Sequence, residues 1–185
     1  MMVSDKYLSS TENKNLVVFI STPCLVNKSE VKEAAALAQL KHFCKKEGIS
    51  SMILLGTSEF SSYVGDFGFG LGVFRTVFEC CEAIDTSCYN EMYNFFRNSL
   101  KKHKHLVSAS LNYFMLGTGN VVSDACCMLF AISPDLNAEV YQLDTGLETP
   151  YIRKVFLPSA GNLPSSVDKS WLEIKQLQQK FVVDN

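Results

Sequence analysis

The chain has 185 residues, of which 47% are hydrophobic and 19% charged, and carries a formal net charge of −2 from 17 basic and 19 acidic side chains. That length suits one domain with a sizeable core, and the balanced charge supplies no field that would gather nucleic acid or an acidic membrane. The charge content is below the ~25% usual for globular domains, which points to surface covered by a partner.

Seven cysteines, an odd number with two adjacent pairs and no paired CxxC motifs, read as buried, reduced thiols of a protein in the cytosol or nucleus. The N-terminus lacks a basic stretch followed by an apolar run, so no secretory signal is expected. No apolar run reaches the ~18 residues of a membrane helix.

Residues 1–14 are polar and read as a flexible tail before a single α/β domain over 15–185. "NLVVFIS", 15–21, is a β-branched and aromatic run that reads as a buried strand. The next segment has Ser29 as N-cap, Glu30 and Glu33 in the first turn, and Lys45, Lys46 and Gly48 at its end, the marks of a helix. "SSMILLG", 50–56, is a second buried strand. Two apolar strands joined by one helix form a βαβ unit, so a mixed or mainly parallel sheet flanked by helices is expected.

After Gly56 the chain reads as a loop, then a short apolar helix or strand. "VGDFGFGLGVF", 64–74, sets its glycines at a 3, 2, 2 spacing. That is neither G-x-G-x-x-G nor a P-loop, so the glycines serve to bend or to pack closely. Asp66-Phe67-Gly68 also spells a kinase triplet, but no catalytic-loop signature accompanies it.

Residues 87–105 read as a helix capped at Ser87, with Met92, Phe95, Phe96 and Leu100 inward and a basic last turn. His103 and His105, among Lys101, Lys102 and Lys104, read as a solvated helix end or a dock for an acidic partner. "LVSASLNYFMLG" and "SDACCMLFAIS" read as strands around the turn "GTGN", the second being alternatively a buried helix. "GTGN", 117–120, is a plain turn or a backbone anion nest. "AEVYQLD", 138–144, is strand or helix, 145–164 is mostly connection, and 165–181 is a last helix with Val167, Trp171, Ile174, Leu177 and Phe181 on one face.

No metal, cofactor or nucleophile motif emerges. Adjacent residues of a strand face opposite sides, so neither Cys80-Cys81 nor Cys126-Cys127 aims two thiols at one metal, and His42 and Cys44 lie about 200° apart on a helix. A cysteine nucleophile would need a histidine assembled in space, which spacing alone does not supply.

In order and local character, "NLVVFISTPCLVNKSE", "FCKKEGIS", "SSMILLGTSEF", "MLFAISPDLNAEVYQL" and "NLPSSVDKSWLEI" resemble the proteasome assembly chaperone 2 family over about residues 15–180. Relative to that family, the strand and Val-Gly-Asn segment expected before this region are absent, which would make the chain a shortened member. Its end, Phe181 to Asn185, has no penultimate tyrosine for insertion into an α-ring pocket.

The resemblance implies a chaperone without catalysis or cofactor, which pairs with a related subunit and holds proteasome α-subunits. Phe67, Phe69, Leu71, Phe181, Val182 and Val183 are then the expected contacts. The alternative is a small cytosolic α/β enzyme whose pocket lies between the 56–72 and 117–120 loops, because open α/β sheets bind ligands beyond the carboxyl ends of their strands.

Overall fold

Three runs of the chain are apolar on both faces and become the centre of the sheet: β1 (Asn13–Ile20), β2 (Ser51–Gly56) and β4 (Ser110–Leu116). The structure is a computed structural model that describes residues 13–20, 31–82, 84–133, 136–145 and 149–156. Strands covered by helices on both sides lose the usual polar alternation, which is why "VVFI", "MILL" and "YFML" are uninterrupted. Full burial of a side chain such as Leu54 or Phe114 stabilises by roughly 1.5–3 kcal/mol.

Less buried strands flank this centre: β3 (Arg75–Cys80), β5 (Ala138–Asp144) and β6 (Tyr151–Val155). The order across the sheet is β3-β2-β1-β4-β5-β6, with β1 to β5 parallel and β6 antiparallel to β5. The α/β class expected from the sequence is thus the observed one. The parallel β1 and β2 are joined through α1 (Val31–Glu47), which ends at Gly48 with φ +67°. β1 begins at Asn13, where Asn13 and Lys14 pair with Ser110 and Leu111, so the strand takes in two residues read as tail.

Strand alternation divides the core. Leu16, Val18, Met52 and Leu54 pack with Leu40, Phe43, Phe60, Phe67 and Leu71 in one cluster on the side of α1 and of α2 (Val64–Leu71). Phe19 points the other way and stacks on Phe96 of α3 (Tyr89–Lys102), which stacks on Phe130 of α5 (Val121–Ala131), with centroids 5.8 and 6.2 Å apart. A short α4 (Lys104–Val107) turns the chain from α3 into β4.

Several expectations are corrected. The stretch after Gly56 is not a loop: a 3-10 helix, Ser58–Tyr63, runs into α2, and the glycines belong to that helix and its cap. Gly68 lets α2 approach β3, since a Cβ there would stand 2.5 Å from Thr76 Oγ1, while Gly72 takes the left-handed cap at φ +75°.

Of the two readings of "SDACCMLFAIS", strand or buried helix, the helix is observed, as α5, started by the capping box of Asn120 and Ser123. Within 145–164, read as connection, residues 151–155 form β6. Ser87 does not cap α3: the N-cap is Cys88, and Ser87 instead donates its N–H and hydroxyl to Asp85 Oδ1 at 2.9 and 2.6 Å. The expected N-cap Ser29, the helix over 165–181 and the tail over 1–12 lie outside the described residues.

Candidate functional site

β1 and β4 are neighbours in the sheet, yet the chain leaves them toward opposite faces, β1 into α1 and β4 into α5. This is the switch point at which an open parallel sheet opens a crevice beyond its strand ends. Two glycines press on the end of β1 from either side. A Cβ on Gly56 would stand 3.1 Å from the Ile20 carbonyl oxygen, and one on Gly119 would stand 3.2 Å from that of Phe19. The loops after β2 and β4 that the sequence nominated therefore both start at this edge, separated by β1.

The β4–α5 connection, Gly117 to Asn120, is fixed at every residue. Gly117 has φ +80°, and a side chain there would collide with the Leu143 carbonyl oxygen. Its N–H donates to both carboxylate oxygens of Asp124 at 3.1 Å. Burial raises the Asp124 carboxyl above its ordinary range, and that N–H pulls it partly back. Thr118 Oγ1 donates to the Phe19 carbonyl at 2.8 Å.

Gly119 lies against the Phe19 ring, where a Cβ would come within 2.7 Å of Cδ1. Asn120 Oδ1 accepts from the Ser123 N–H at 2.8 Å, the Ser123 hydroxyl accepts from the Asn120 N–H at 2.9 Å, and Asn120 Nδ2 donates to the Thr86 carbonyl at 3.0 Å. The loop is thereby tied to β1, α5 and the segment after β3. Val121 and Val122 of the first helical turn keep N–H groups that have no partner within the helix, beside a Val121 side chain that is 84% exposed. Such a terminus, with the positive end of the helix dipole, favours an anion.

Phe67 and Leu71 are buried, Phe67 edge-on to Phe60 with centroids 5.4 Å apart, whereas Phe69 is 88% exposed. Phe181, Val182 and Val183 lie outside the described residues. Burial raises the thiols of Cys81 and Cys127 and pushes those of Cys44 and Cys126 up to about 12, which keeps them protonated at neutral pH. Among the described residues no three His, Cys, Asp or Glu side chains gather as a metal site.

The basic run 101–105 is not simply a solvated helix end. His103 is buried, and its Nε2 lies 2.7 Å from Glu79 Oε1 on β3, with Lys102 Nζ 2.8 Å from the same oxygen. For Lys102 and His103 the acid is an internal one, Glu79. What the sequence reading missed is the capping box, whose signal was Asn120 three residues ahead of Ser123 at the start of an apolar run.

Strand order 3-2-1-4-5-6 with helices on both faces is the doubly wound arrangement, here with an antiparallel last strand. No protein-family model matches the chain, and no curated protein does. Solved structures do match, among them Enterococcus italicus Csm6 bound to cyclic hexa-2'-fluoro-hexa-dAMP, with a TM-score of 0.60 at 12% identity over 79% of this chain. The match spans 43% of that protein, and at this identity it shows a shared fold.

Proposed function

We propose that the chain is a ligand-binding module that takes a nucleotide-class anion at the β1/β4 switch point. The observation that carries this reading is the fixed Gly117 to Asn120 loop, which delivers the capped start of α5 to the crevice of a doubly wound sheet. With the N–H groups of Gly117, Asn120 and Ser123 bound internally, those of Val121 and Val122 are left for the ligand, and such donors suit a phosphate and contribute binding rather than bond-breaking chemistry. The solved structure of similar fold holds a cyclic oligonucleotide analogue, which makes that class the first to test. The connection after β1, "STPCLVNKSE", has no glycine fingerprint, so a dinucleotide cofactor is not favoured.

The test is a thermal-shift titration with mononucleotides and cyclic oligoadenylates. A ligand at one hundred times its dissociation constant stabilises by about 2.7 kcal/mol. Val121→Glu is the matched variant: it sits on an exposed side chain at a position where an acid suits the helix, so the fold is kept while the anion is repelled. A shift in the parent chain that disappears in Val121→Glu supports the reading; no shift with any nucleotide removes it.

A second reading, a protein-interaction module such as the proteasome assembly chaperone implied by the sequence resemblance, is favoured by a different observation. Phe69 and Phe74 are 88% and 99% exposed beside the sheet-edge strand β3, and Phe74 borders a cleft of about 470 Å³ with Lys41 and Lys45 on its wall. Recovery of proteasome α-subunits with the tagged chain, lost on Phe69→Ser with Phe74→Ser, is its expected outcome; recovery unchanged by both substitutions argues against it.

A further inference from the structure

The amino edge of the sheet, opposite the switch point, carries an unusual row of side chains. Strand register aligns Arg75, Ser51, Asn15 and Asn112 across β3, β2, β1 and β4, with Asn13 and Ser110 paired one step nearer the edge. Alternation places all six on the face that, one step inward, carries Val77, Ile53, Val17 and Phe114. The apolar core thus gives way abruptly to polar groups.

Part of that row serves the fold. Asn15 Nδ2 donates to the Leu106 carbonyl at 2.7 Å and Asn112 Nδ2 to that of Val107 at 2.8 Å, while the Ser51 hydroxyl donates to Asn15 Oδ1. The rest lines a cleft of about 270 Å³ between the strand ends and α4, with Asn13, Ser51, Arg75, His105 and Ser110 on its walls. Arg75 Nη2 donates to His105 Nε2 across 3.4 Å.

Three features give this cleft a ligand chemistry. Among the described residues that line it none is a carboxylate, and Arg75 is the strongest charge on its wall. Glu79, two steps further along the same face of β3, is already held by Lys102 and His103. The Ser110 hydroxyl belongs to a residue only 6% exposed that lines the cleft, where it can donate to a ligand oxygen. A volume below the ~300–1,000 Å³ of drug-sized pockets restricts the occupant to something small.

We propose that this cleft is a second, independent site for a small oxyanion of the phosphate class, gripped by the guanidinium fork of Arg75, which His105 Nε2 holds in position, and completed by donors from Ser110 and Asn13. A planar fork of N–H groups matches two oxygens of one phosphate, which an ammonium does not.

The test is an NMR titration of the isotope-labelled full chain with inorganic phosphate, ionic strength held constant with chloride. The expected result is a saturable shift at the amides of Ser51, Arg75 and Ser110 with a dissociation constant of about a millimolar, at least tenfold weaker in Arg75→Gln and recovered in part by Arg75→Lys. Should Arg75→Gln fail to fold, His105→Gln reads the same loss from a separate element. Absence of a saturable shift, or an equal one in Arg75→Gln and His105→Gln, overturns the proposal. Val121→Glu must leave the phosphate shifts intact, which separates this site from the switch point.

Discussion

Gly117 and Gly70 look alike in sequence and answer to opposite physics. Gly117 has φ +80° and abuts the Leu143 backbone, whereas Gly70 lies in α2 with ordinary helical geometry and open space where a Cβ would go. Gly117→Ala is therefore expected to lower stability by about 1–3 kcal/mol through clash and backbone strain. Gly70→Ala is expected to raise it by about 0.5–1 kcal/mol, because the unfolded chain loses freedom and the helix gains a better former. Urea unfolding midpoints of the two variants check both signs, and movement in the same direction would refute the distinction. Sequence spacing was enough to exclude a P-loop at 64–74. It could not say which glycine touches what, since the Thr76 and Leu143 contacts arise from strands that fold against the glycines later in the chain.

At the scale of elements, legibility followed the strength of local signals. α1 displays its signals, acidic residues ahead of lysines and a closing glycine; α5 is apolar after Asp124, so its period is hidden and only the Asn120–Ser123 cap betrays it. β6, with Arg153 and Lys154 at its centre, looks like a connection because an edge strand has no apolar face to show. The junction of α3 with β3 was invisible for another reason: Glu79 and His103 are 24 residues apart and meet only in the folded sheet.

That junction makes a pH prediction. Burial alone would raise the Glu79 carboxyl, but the hydrogen bonds and charges of Lys102 and His103 together hold it below its ordinary range. A lowered folded value means the stabilisation is present above the ordinary carboxylate range and is lost as pH falls through the folded value. Glu79→Gln should then cost about 1–2 kcal/mol at neutral pH and progressively less in acid. Guanidinium unfolding of both chains at neutral and acid pH reads this, and a cost that stays constant with pH would mean the charge is not what matters.

For the molecule as a whole, the β1-α1-β2 unit was legible because it is local, while the return of β4 to the other side of β1 was not: Asn15 and Asn112 touch across 97 residues of chain. That return creates the switch point, so the candidate site depended on the one step of topology that no local pattern encodes. It also places β1, β2 and β4 at the centre and leaves β3 and β6 as edges. Amides of the central strands should exchange with solvent only through global unfolding, and those of β3 and β6 through cheaper local openings. Phe114→Ala, at a fully buried position of β4, should cost about 3–5 kcal/mol and speed the central amides together, leaving the edge amides governed by their own openings. Exchange measured by NMR on parent and variant decides this: if β3 slows to the rate of β1, the edge is covered in solution, and a partner or second copy on β3 becomes the structural explanation to pursue.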